Sequence, residues 1–167
     1  MSQKLKIKSQ KFVEIKICYM KLLSEKFVQD SIIEHLFRKG WGRNLRSKSV
    51  DEHGVDIKVR NNKFSRYWLI ECKGDASKTA KYPRSHREVC FNLALGQIIT
   101  RMKSDGKRGY KYGYKYGVGF PVSFRDLVVR RLPSNVVDKL NLYIFLVSED
   151  GKVDFYDWKK LKTLQTL

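Results

Sequence analysis

The sequence predicts an α/β fold, a mixed central β-sheet flanked by helices. Apolar residues recur at helical spacing over residues 24–40 and again over 88–102. Short β-branched and aromatic runs, too short for helices, lie between and after them at 55–59, 67–72, 116–121, 142–147 and 153–158. A chain of 167 residues is long enough for one real core and needs no second domain, so residues 20–167 are read as a single domain. Residues 1–19 are read as a basic extension ahead of it.

In that extension Val13, Ile15 and Ile17 share one face, as in an edge strand; a loose arm is the other reading. Ser24 is a good N-cap, its side-chain oxygen able to accept from an orphan N–H of the first turn. The helix it opens carries Phe27, Val28, Ile32, Ile33, Leu36 and Phe37 and closes at Gly40, a residue that adopts the left-handed C-terminal conformation without a Cβ penalty. A basic loop with Arg43, Arg46 and Lys48 follows. The segments at 55–59 and 67–74 are joined by the polar Asn61-Asn62-Lys63, which predicts an antiparallel hairpin.

Beyond Gly74 the chain is polar and basic through Lys78, Lys81, Arg84 and Arg87, with Pro83 as a breaker. The second helix is expected from about Glu88 to Met102, with Val89, Leu93, Ile98 and Ile99 as its apolar side. Residues 107–117 repeat Tyr-Lys-Tyr-Gly, read as a basic loop that runs into the strand at 116–121. Tyrosines interleaved with lysines also suit stacking on bases and gripping phosphates. The strand at 142–147, a turn at Glu149-Asp150-Gly151 and a hairpin partner at 153–158 close the chain.

Lys and Arg number 35 against 17 Asp and Glu, a formal net charge of +18. That excess, spread along the length, points to an anionic polymer or surface as partner. Loops as basic as those at Arg43, Arg46 and Lys48 and at Lys78, Lys81, Arg84 and Arg87 suit phosphate contacts. Cys18, Cys72 and Cys90 show no Cys-x-x-Cys spacing, so neither a disulfide framework nor a zinc site is suggested. No run of about 18 apolar residues predicts a membrane span, and a cytoplasmic protein is expected.

The run Tyr67-Trp68-Leu69-Ile70 ends in Glu71-Cys72-Lys73-Gly74, charge where a strand usually keeps it away. Alternation puts Glu71 and Lys73 on one side, about 6 to 7 Å apart, and turns Cys72 toward the core. In the hairpin Asp56 lies beside Glu71. Two adjacent carboxylates repel unless a cation sits between them, and Mg²⁺ takes oxygen ligands from one or two carboxylates while leaving positions for water and phosphate. Lys73 would then orient the water or stabilise charge on the phosphorus oxygens. The plainer reading is a solvated cross-strand charge set at a sheet edge.

The order of motifs, a helix ending in Gly40-Trp41, then Gly54-Val55-Asp56-Ile57, then Leu69-Ile70-Glu71-Cys72-Lys73-Gly74, then a helix with Ala94-Leu95-Gly96-Gln97-Ile98, resembles the PD-(D/E)xK nuclease superfamily with its restriction-endonuclease-like fold. The resemblance spans roughly residues 24–121, with Val55 where the superfamily usually has Pro. It implies Asp56 and Glu71 as metal-binding acids, the backbone carbonyl of Cys72 as a further ligand and Lys73 as the catalytic lysine. It implies a first-helix residue near the metal, for which the candidates are Gln29 by spacing, Glu25 one turn earlier and Glu34, and a Gln97 that contacts the water or the phosphate. The activity implied is a Mg²⁺- or Mn²⁺-dependent DNA endonuclease, restriction-type or junction-resolving, acting as a homodimer or with an accessory partner. The rival reading is a non-catalytic nucleic-acid-binding protein that keeps the fold.

Overall fold

The computed structural model describes residues 21–42, 54–61, 63, 66–77, 81–102 and 113–166; the extension at 1–19 and Arg43, Arg46, Lys48 and Lys78 lie outside them. Helix α1 spans Glu25–Arg38. Ser24 caps it as expected, its Oγ accepting from Phe27 N–H at 3.2 Å, an arrangement worth about 1 kcal/mol. Gly40 ends it at φ 81°, a left-handed value that glycine adopts without strain. Strands β1 (Ile57–Asn61) and β2 (Arg66–Cys72) pair antiparallel from Ile57 opposite Ile70 to Asn61 opposite Arg66. The connection is therefore 62–65, longer and later than the Asn61-Asn62-Lys63 turn read from the sequence.

Helix α2 covers Pro83–Thr100 and starts five residues before its expected position. Pro83 is not a breaker: it sits in the first turn, where its missing N–H costs nothing and its fixed φ suits the helix. The buried face is also different, with Cys90, Phe91, Ala94 and Ile98 facing the sheet, while Val89, Leu93 and Ile99 remain about half exposed. Contact with the sheet sets this rotation, for Phe91 lies 5.9 Å from Phe120 between ring centroids.

Strand β3 (Tyr114–Pro121) leads through a 3-10 turn at Val122–Phe124 into α3 (Arg125–Arg131) and α4 (Ser134–Lys139). Strand β4 (Leu142–Val147) and strand β5 (Val153–Tyr156) follow, and α5 (Trp158–Gln165) comes last. Trp158 thus opens a helix instead of ending a strand, and Asp157 caps it by accepting from Lys160 N–H at 2.9 Å. Helices α3 and α4 have seven and six residues, too few to display a periodicity, which is why the sequence showed only strands here.

Among the described residues the sheet order is β1-β2-β3-β4-β5, with β2, β3 and β4 parallel and an antiparallel strand at each edge. This is the mixed sheet flanked by helices that the sequence predicts. Each face has its own core: Val28, Ile32 and Leu36 of α1 pack on Trp68, Ile70 and Cys72, whereas Phe91, Ala94 and Ile98 of α2 pack on Leu69, Tyr116 and Val118. Covered on both faces, β2 is buried from Trp68 to Cys72 without a break. On β3 the residues facing α1 are Gly117 and Gly119; a Cβ on Gly119 would lie 2.4 Å from Ile32 Cδ1, so glycine is what lets α1 settle onto the sheet.

Candidate functional site

The hairpin register, continued one step past the Ile57 and Ile70 pair, sets Asp56 opposite Glu71. Both are buried, Asp56 at 8 % and Glu71 at 1 % of full exposure, which excludes a solvated charge set at the sheet edge. Burying two carboxylates costs several kcal/mol unless each is compensated, and each is. Cys72 N–H donates to Asp56 Oδ2 at 2.7 Å, so the backbone of one strand ties down the acid at the end of the other. The carbonyl of a strand residue leaves on the same side as its N–H, which directs the Cys72 C=O toward Asp56 as well. Glu71 Oε1 forms an ion pair with Arg101 Nη1, the residue that caps α2.

Sequence reasoning did not single out Arg101. A cation at a helix C-terminus reads as a complement to the helix dipole; the one available signal was its i, i+4 spacing from Gln97, which puts the two on one face. Gln97 Oε1 is enclosed and has no hydrogen-bond partner.

Lys73 follows β2 directly, and its N–H donates to Gly119 O at 2.9 Å, which extends the β2–β3 ladder to it. Its ammonium points to α1, with Nζ 3.8 Å from Glu25 Oε2. Gln29 Nε2 in turn donates to Glu25 Oε1 at 3.3 Å, so two first-helix candidates are joined in one chain with the lysine. Glu34 is not part of it; it pairs with Arg38 on the exposed side of α1 at 3.0 Å. Gly74 allows this junction: a Cβ there would meet the Glu25 backbone nitrogen at 2.5 Å and Leu23 O at 2.9 Å. The glycine after the lysine thus has a steric reason, since it lets the start of α1 lie against the end of β2.

Cys90 on α2 closes this corner. Its Sγ lies 3.2 Å from His86 Nε2, and burial pushes its pKa up, with Lys73 pulling it down and Glu25 pushing it up more weakly. Those two charges therefore lie within electrostatic reach of the thiol.

Of the basic residues, Lys81 and Arg84 are exposed, Lys81 lying over the Tyr82 ring at 5.6 Å. Arg87 is half-buried and donates to Ser123 O at 3.1 Å, which spends part of its donor set on holding α2 to the end of β3. Asp75 makes a similar tie: Leu23 N–H and Ser123 Oγ donate to its two oxygens at 2.9 and 2.6 Å.

Two buried carboxylates and a backbone carbonyl lie at adjacent positions of the hairpin and offer oxygen donors. Among the described residues no three His, Cys, Asp or Glu side chains converge as a metal cluster. Mg²⁺ does not need three, because it is held by one or two carboxylates and completed by water and phosphate, so the residues present fit it. No described helix is long and apolar enough to cross a membrane.

No family model matches the chain, and no curated protein matches it. Among solved structures it is similar to an XisH family protein from Nostoc punctiforme PCC 73102, known from its crystal structure, at 14 % identity and a TM-score of 0.47, over 78 % of this chain and 99 % of that one. A likeness at that level says nothing about what this chain does.

Proposed function

We propose that the protein is a metal-dependent DNA endonuclease that hydrolyses phosphodiester bonds, a member of the nuclease superfamily its motifs resemble. The observation that carries the reading is the burial of Asp56 and Glu71 opposite each other at the end of a hairpin, with Lys73 two residues beyond Glu71 and its ammonium 3.8 Å from Glu25. Asp56, Glu71 and the Cys72 carbonyl would hold Mg²⁺ or Mn²⁺. Bound there, the ion supplies Lewis-acid polarisation of a phosphate oxygen and acidifies a water.

The chain's own groups do the rest. Lys73 offers N–H donors to the attacking water or to the oxygens that gain charge as the bond to phosphorus breaks. Glu25, supported by Gln29, fixes where that ammonium points and offsets the cost of burying it. Gln97, whose carbonyl oxygen is buried and unsatisfied, would contact the water or the phosphate. Water is the nucleophile, so no covalent enzyme intermediate forms.

One observation favours a second reading, a nucleic-acid-binding protein that does not cut: Arg101 already neutralises Glu71 without any metal. Incubation with plasmid, single-stranded and four-way-junction DNA in Mg²⁺, Mn²⁺ or EDTA, beside Asp56→Ala and Lys73→Ala, separates the two. Metal-dependent cutting lost in both variants is the expected result. Binding without cutting in any metal would overturn the nuclease reading.

A further inference from the structure

The face of the sheet that carries Asp56 and Glu71 continues down the hairpin as a line of cations and aromatic rings. Alternation along β1 puts Asp56, Lys58 and Arg60 on one face, and alternation along β2 puts Glu71, Leu69 and Tyr67 on that same face, since the register pairs Lys58 with Leu69 and Arg60 with Tyr67. On the next strand Tyr114 pairs with Tyr67. The two rings stack at 5.5 Å and 23°. Lys58 Nζ and Arg60 Cζ lie over the Tyr67 ring at 5.7 and 5.6 Å. Arg60 is exposed, while Lys58, Tyr67 and Tyr114 are half-buried, so the row is reachable from solvent.

Two cations side by side repel, and cation–π contact at an exposed ring returns little. What the ring gives them is order: it holds two flexible side chains in register, so less entropy is lost when they meet an anion. The spacing suits a polyanion. Residues two apart on a strand are about 6.6 Å apart, close to the separation of consecutive phosphates along one nucleic-acid strand. Lys58 is one such step from Asp56 and Arg60 two.

We infer that the β1–β2 face is a backbone track: a nucleic-acid strand whose scissile phosphate lies at Asp56 and Glu71 places its next phosphates on Lys58 and Arg60, which Tyr67 holds in place. The direction of the track rests on the nuclease reading, whereas the binding does not. The chain enters β1's outer edge at Gly42, whose N–H donates to Arg60 O at 2.8 Å, and Arg43, Arg46 and Lys48 follow it directly in sequence.

The test is fluorescence anisotropy of a labelled single strand and of the matching duplex in EDTA, over a range of salt, with a cleavage assay run in parallel. The variants are Lys58→Ala with Arg60→Ala, the charge-keeping Lys58→Arg with Arg60→Lys, Tyr67→Leu, and the control Lys159→Ala with Lys162→Ala at the opposite edge of the sheet. Each lost phosphate contact lowers the slope of log affinity against log salt by about 0.7 to 0.9, so the alanine pair should bind about 25- to 60-fold more weakly at 0.1 M salt. The charge-keeping pair should stay within a few fold of the parent, and Tyr67→Leu should lose affinity with its charge intact. If circular dichroism shows the double variant unfolded, Arg60→Ala alone decides, with about five- to eightfold expected. A double variant no weaker than the Lys159 and Lys162 control overturns the track, even if the protein cuts. Binding lost as expected in a protein that never cuts upholds the track and sinks the nuclease.

Discussion

Arg101 holds the charge of Glu71 that a metal ion at the proposed site would also answer, and its removal can be worked through from the structure. Glu71 is 2 % exposed at its side chain and Arg101 29 %, so Arg101→Met, which keeps most of the stem, leaves a buried carboxylate with no counter-ion. Breaking a buried pair in this way costs 3 to 5 kcal/mol, and the partial exposure of the arginine puts this case at the lower end, about 3 kcal/mol. For a domain of this size each kcal/mol moves Tm by about 2 to 4 °C, which gives a fall of about 6 to 12 °C in EDTA. Mg²⁺ should return much of it, because a ligand of the folded state at a hundred times its Kd stabilises by about 2.7 kcal/mol. The parent should gain less, since there the cation must first compete with the guanidinium. Differential scanning calorimetry with and without Mg²⁺, and calorimetric titration of Mn²⁺ into both proteins, measure these effects. A variant as stable as the parent, or equal metal-induced shifts in the two, would refute the idea that Arg101 and the ion answer the same charge. Asp56→Asn in the variant background should abolish the recovery.

Two further outcomes follow from the packing around Lys73 and α1. In a Cys18→Ser background, the pH midpoint for thiol labelling of Cys90 should lie above that of a free thiol, because its burial raises the pKa. Glu25→Gln removes a group that raises it and should lower the midpoint, whereas Lys73→Met removes one that lowers it and should raise the midpoint; no shift in either would mean that the corner is not assembled in solution. Gly119→Ala puts a methyl 2.4 Å from Ile32 Cδ1 and 3.0 Å from Cys72 Sγ, and should cost about 1 to 3 kcal/mol in urea unfolding at unchanged m-value. A neutral Gly119→Ala would show that α1 does not lie on the sheet where described.

The hairpin was legible because its chemistry is local. Ser24, Gly40 and the ends of β2 and β4 speak through caps, alternation and apolar runs, and these led to Asp56, Glu71 and Lys73, whereas Glu25, Gln29 and Glu34 were candidates only through the family resemblance. The rotation of α2 was not legible. Val89, Leu93 and Ile99 make as convincing an apolar stripe as Cys90, Phe91, Ala94 and Ile98, and only the sheet chooses between them. Arg101 was hidden for the same reason, since its meaning arises 30 residues from Glu71 in sequence and only after α2 has crossed back over β2. The burial of both acids also came from tertiary structure, for nothing in Glu-x-Lys tells whether the strand is covered on one face or two.

Asp56 comes from the edge of the sheet. Among the described residues, strand β1 pairs with no strand but β2, over five residue pairs, and Asp56 lies just beyond the last of them, held by the Cys72 N–H. Edge strands open locally at free energies well below that of global unfolding, and each opening takes Asp56, Lys58 and Arg60 away together. If Asp56 and Glu71 act together as proposed, the fraction of molecules with a complete site depends on how often this one strand opens: a local cost of about 2 kcal/mol would leave about 3 % of the population without its first acid. A polyanion bound on Lys58 and Arg60 as proposed would close the same strand that carries Asp56, so that gripping the backbone and completing the acid pair would become a single equilibrium.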